Sequence, residues 1–118
     1  MNAKNAAYCL MMYAGTAKSD ITTDNPGSHI RARLYAKVLT RDEGRYRAAI
    51  IAMDVTAING RTITAGLLPD VADDFLSRLR LRVERELGIP GSNLLVNASH
   101  THPPGPKLCS DDEQLART

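Results

Sequence analysis

Two short runs that are apolar on both sides, Ala48-Ala49-Ile50-Ile51-Ala52-Met53 and Asn93-Leu94-Leu95-Val96-Asn97-Ala98, bracket a stretch whose apolar residues recur every fourth position. A strand apolar on both sides is expected to be covered on both. Between them, Pro69 stands at a first helical position, with Asp70, Asp73 and Asp74 near the positive end of the helix dipole, and Gly88 with Pro90 beyond closes the segment. Val71, Phe75, Leu79 and Val83 form the apolar stripe, and Leu76 and Leu87 widen it. Asp74/Arg78, Arg80/Glu84 and Arg82/Glu86 stand at ion-pair spacing outside the stripe. Strand, helix and strand in this order predict a βαβ unit. Its crossover makes the two strands parallel and puts their carboxyl ends on one rim of a sheet. Residues 56–68 read either as a short helix or as irregular loop.

The preceding segment alternates. From Ala32 to Thr40, Ala32, Leu34, Ala36 and Val38 share one face, and Arg33, Tyr35, Lys37 and Leu39 share the other. Arg41-Asp42-Glu43-Gly44 then reads as a hairpin connection, with glycine to take a positive φ, into a second strand over Arg45 to Val55. Arg31, Arg33, Arg45 and Arg47 form the wet side of that hairpin. Further upstream, Ala6 to Ala14 reads as a first strand or as the apolar core of a leader behind Lys4. The strand reading is preferred, because Ala14-Gly15-Thr16-Ala17 runs straight into a polar segment, Lys18 to Gly27, that passes from strand end into Asn-Pro-Gly turn chemistry. The expected fold class is therefore α/β: a mixed sheet with an antiparallel hairpin followed by a βαβ crossover unit. Its 118 residues, 43% hydrophobic and 4% aromatic, suit one partial domain over 1–118 with a core of small residues.

Charge and composition exclude several functions. Fifteen Lys and Arg against thirteen Asp and Glu leave +2, interspersed and without interleaved aromatics, so a nucleic-acid partner is not expected. No run approaches the roughly 20 apolar residues of a transmembrane span. Cys9 and Cys109 are too few and too far apart for a disulfide framework. Reduced thiols favour a cytoplasmic chain, with secretion the alternative if residues 1–17 act as a leader. No nucleophile elbow, phosphate loop, dinucleotide fingerprint or H-E-x-x-H occurs.

The polar residues with metal chemistry are Ser99-His100-Thr101-His102, directly after the second strand of the βαβ unit, where ligand sites of open α/β sheets lie. In an extended backbone His100 and His102 project from the same side, and Pro103 keeps His102 out of helix. Either both bind one metal, or one binds while the other handles protons. The plainer alternative is a surface loop with two solvated histidines. A zinc site needs more protein ligands than two imidazoles supply. Asp54, at the end of the neighbouring strand, is a candidate to accept the other ring N–H of a ligating histidine. Otherwise it caps the following turn. His29 could approach the same rim, although an exposed loop histidine is the simpler reading.

Four blocks together carry a resemblance: Ala14-Gly15-Thr16-Ala17-Lys18-Ser19-Asp20-Ile21-Thr22, Leu34-Tyr35-Ala36-Lys37-Val38-Leu39, Ala49-Ile50-Ile51-Ala52-Met53-Asp54, and Leu87-Gly88-Ile89-Pro90 with Asn93 through His102. In order and over residues 14–106, they resemble the start of the neutral/alkaline non-lysosomal ceramidase family. The resemblance implies a zinc-dependent amidohydrolase that cleaves ceramide, a lipid amide, into sphingosine and a fatty acid. It implies that His100 is a metal ligand and that His102, as a catalytic residue, lines the site beside the scissile carbonyl. The sequence departs from the family pattern at Pro103-Pro104-Gly105-Pro106, where Ser-Gly-Pro is usual, and at Thr22-Thr23, where Thr-Pro is usual. The family's other zinc ligands (a His, a Glu and a Tyr) lie downstream of the matched region. The expectation is thus an amino-terminal segment, inactive by itself, that associates with a carboxy-terminal portion or with itself. The alternative is a non-catalytic metal-binding or interaction remnant. An unrelated amidohydrolase barrel is disfavoured by the antiparallel hairpin.

Overall fold

In the computed structural model, residues 11–22, 26–27, 30–58, 71 and 74–101 are described. Their order is β1 (Tyr13–Asp20), β2 (Tyr35–Asp42), β3 (Arg47–Met53), α1 (Phe75–Leu87), a 3-10 turn over Gly91–Asn93, and β4 (Leu94–Ala98). The strands form one sheet in the order β1-β2-β3-β4. β1 and β2, and β2 and β3, pair antiparallel, whereas β3 and β4 pair parallel from Ala49↔Leu94 to Met53↔Ala98. The expected class, a mixed α/β sheet with hairpin and crossover unit, is the observed one.

The hairpin forms for the reasons its residues suggest. Asp42 pairs with Arg47 across the end of the ladder. Within the loop the Asp42 carboxylate accepts the Gly44 N–H (2.7 Å), and the Glu43 N–H donates to the Tyr46 carbonyl (3.0 Å). Gly44 takes φ 80°, which a side chain would resist. The connection keeps the four-residue length of Arg41 to Gly44 but lies two residues later, at 43–46, because Arg41 and Asp42 still belong to β2 and β3 begins at Arg47.

β1 is displaced from its expected position. Only Tyr13 and Ala14 of the predicted strand fall in it, and residues 1–10 lie outside the described set. The strand uses the polar half of the segment because it is a sheet edge, held by backbone pairing to β2, and its side chains need little burial. At its end the Asp20 carboxylate accepts the Thr22 N–H (2.8 Å) and pairs with Arg33 (3.0 Å). Hydrogen bonds from the Thr22 hydroxyl and N–H, with the Arg33 charge adding to them, hold the Asp20 carboxyl below its ordinary range. This contact is complete above the pH at which an unfolded aspartate ionises and is lost as pH falls through the lower folded value. The Thr22 amide resonance is therefore expected to titrate with a midpoint below that of aspartate in an unfolded peptide; a midpoint at or above it would show that the carboxylate is not so held.

Helix α1 buries Phe75, Leu79 and Val83, with Val71 buried upstream, as the four-residue spacing predicts. Gly88 ends it at φ 65°, its N–H returning to the Glu84 carbonyl (3.0 Å). The described helix begins at Phe75; the opening predicted at Pro69 lies outside the described residues. Arg82 and Glu86 pair at 3.0 Å, but the Glu84 carboxylate accepts the Gly91 N–H (3.3 Å), tying the helix to the turn that starts β4. Leu87 is exposed instead of widening the stripe.

Among the described residues, the apolar strands are covered on one face only. Ala36, Ala49, Ile51, Met53 and Leu94 join the helix stripe in a single core. On the other face Leu39, Ile50 and Leu95 are directly paired neighbours across three strands, and they are 48%, 44% and 59% exposed. Two doubly apolar runs with one amphipathic helix to cover them imply exposed apolar surface, and this row is such a surface among the described residues. Both strands do carry apolar residues on both sides, but one layer, α1, is what the described residues supply.

Candidate functional site

The site lies where the parallel pair ends. Beyond the Met53↔Ala98 pair, the Ser99 N–H donates to the Met53 carbonyl (2.9 Å), which also accepts the Val55 N–H (2.9 Å). One buried acceptor thus starts both departing segments, 54–56 from β3 and 99–101 from β4.

Those segments are then joined at Thr56, which is buried at 7% exposure. Its hydroxyl donates to the Thr101 carbonyl (3.0 Å), and its own carbonyl lies 2.8 Å from His100 Nδ1. A carbonyl has no proton to give, so Nδ1 is the donor and the imidazole lone pair resides on Nε2. This is the way metal-ligating histidines are commonly held, the ring nitrogen away from the metal donating to a backbone carbonyl or carboxylate. On either side of His100 in sequence, Ser99 Oγ and Thr101 Oγ1 are hydrogen-bonded to each other at 2.8 Å.

His100 itself has φ 62°. The left-handed conformation costs a residue with a side chain about 1–2 kcal/mol, and here the two Thr56 bonds hold it. It also corrects the expected geometry: the backbone is not extended at His100, because pairing with β3 has ended and Thr56 draws the segment across. The side-by-side projection of His100 and His102 therefore does not follow from residue spacing. His102 lies outside the described residues, as do His29, Cys9 and Cys109.

Asp54 sits at the rim as expected, but its carboxylate turns toward β2. Oδ2 accepts the Tyr35 N–H (3.1 Å) and lies 3.6 Å from Lys37 Nζ, while the Asp54 N–H donates to the Tyr35 carbonyl (2.9 Å). Both backbone groups of Tyr35 are thereby satisfied by one residue, the strand-capping arrangement. At His100 Nδ1 the orienting partner is the Thr56 carbonyl. Sequence reasoning missed Thr56, which fell in the ambiguous stretch 56–68. The available signal was its position two residues past Asp54, on the same rim as the histidines.

The described rim offers a single imidazole, fewer ligands than a metal site needs. His100 presents an imidazole of fixed tautomer, and among the described residues no group of three or more His, Cys, Asp or Glu could hold an ion. Also among the described residues, no helix is long and apolar enough to cross a membrane. No protein-family model, curated protein or solved structure matches the chain.

Proposed function

We propose that the chain is the amino-terminal segment of a zinc-dependent, ceramidase-like amidohydrolase, in which His100 is a zinc ligand and His102 lines the site of a lipid amide substrate. The observation that supports this reading is the His100 Nδ1–Thr56 carbonyl bond at the carboxyl ends of two parallel strands, which leaves the imidazole lone pair on Nε2. Bound zinc supplies polarisation of the amide carbonyl. The chain's own contribution is one oriented ligand and one wall of the site; the resemblance assigns the remaining ligands to sequence beyond residue 106.

Calorimetric titration with zinc tests the reading. The parent is expected to bind weakly, since a partial ligand set leaves the ion largely hydrated. His100→Ala is expected to weaken binding by about tenfold or more, the size of effect seen when ligand geometry is disturbed. Equal affinity in the two proteins would remove His100 from the metal site.

A second reading, a non-catalytic interaction remnant, is favoured by the bare row Leu39, Ile50 and Leu95, since parallel pairs are ordinarily covered on both faces. In that reading the row packs against a further part of the fold or a second copy, and the zinc titration shows no dependence on His100.

A further inference from the structure

The rim contains a residue that neither the motif nor the resemblance points to. We infer that Thr56 is a positioning residue: by holding the Thr101 carbonyl with its hydroxyl, it brings the His100 ring against its own carbonyl and so fixes the imidazole as the Nδ1–H tautomer. The metal consequence rests on the proposed function; the tautomer does not.

Three observations carry this. Thr56 is one of the two polar residues found buried among those described, and its hydroxyl is spent across the rim, on Thr101, 45 residues away. Its carbonyl takes the His100 ring nitrogen at 2.8 Å, so both ends of one residue engage consecutive residues of the other segment. Between these two bonds, with Ser99 Oγ and Thr101 Oγ1 also bonded across the same turn, His100 is held at φ 62°, a conformation that persists only while the surrounding bonds over-determine it. The backbone carbonyl survives any substitution at 56. What the side chain determines is whether residues 99–101 lie close enough to use it. Without the hydroxyl, the Thr101 carbonyl loses its donor, the segment relaxes toward extended backbone, and the ring leaves the Thr56 carbonyl.

The test reads the tautomer directly. Nitrogen-15 NMR of the histidine rings, at a pH where imidazole is neutral and with His100 assigned by comparison with His100→Ala, is expected to show Nδ1–H in the parent. Thr56→Ser, which keeps the hydroxyl, should retain it. Thr56→Val, similar in shape without the donor, should shift His100 toward Nε2–H while the β3–β4 amide resonances stay in place, and should weaken zinc binding by about 10–100-fold. If the Val protein does not fold, Thr56→Cys, with a weak thiol donor, should give a partial shift. Nε2–H in the parent, or a parent-like tautomer in a folded Val or Cys variant, would overturn the inference. Should the tautomer change as expected while the parent itself binds no zinc, Thr56 keeps its positioning role and the metal reading of His100 falls.

Discussion

Phe75→Ala is expected to lower the unfolding free energy by about 3–5 kcal/mol, which for a domain of this size is a large part of its total stability. Phe75 is the chain's one phenylalanine and is 1% exposed, in a core otherwise built from aliphatic residues, Met53 and small Ala36 and Ala49. Neighbours of that size cannot close over the space an aromatic ring leaves, so the transfer and cavity terms add. Among the described residues the core has a single helix over a single sheet face, and no second layer shares the load. Urea denaturation followed by circular dichroism measures the loss. A change below about 1 kcal/mol would mean that α1 is not what closes this face.

Asp54→Ala is expected to cost about 1–3 kcal/mol and to leave zinc affinity close to that of the parent. The cost arises because the Tyr35 N–H, part-buried beside β3, loses its acceptor when the carboxylate is removed. Asp54→Asn keeps an oxygen for that N–H and should recover most of the loss, giving up chiefly the attraction to Lys37 at 3.6 Å, whose side chain is half exposed. Denaturation and zinc calorimetry on the same two variants separate the structural role from the orienting one. A tenfold fall in affinity with unchanged stability would return Asp54 to His100.

The elements that were legible in the sequence are those whose pattern and burial agree. Val71, Phe75, Leu79 and Val83 announce a helix stripe, and all four are buried; Gly88 marks the helix end, and Gly44 the hairpin. The common rim follows from the crossover alone, so Asp54 and His100 were found without contacts. Three features were not legible, each for a physical reason. β1 lies in the polar half of its segment because an edge strand is specified by backbone pairing, which leaves little side-chain signature. Which face of the doubly apolar runs stays bare, that of Ile50 and Leu95, is not legible because an apolar residue looks the same whether or not a second layer covers it. The Thr56 clamp and the turn at His100 depend on bonds between residues more than 40 positions apart, and residue spacing along one strand carries no information about them.

The Met53 carbonyl, shared by Val55 and Ser99, ties the rim to the core. Its side chain is fully buried while its oxygen anchors both segments of the site, so molecules with a loosened core also lack an ordered rim. Affinity for any ligand that needs the ordered rim is then discounted by the fraction of molecules that have it. Reciprocally, such a ligand raises the melting temperature by mass action. A substitution deep under α1, touching nothing at the rim, thus reads out as weaker binding in proportion to the order it removes, and a saturating ligand partly restores it.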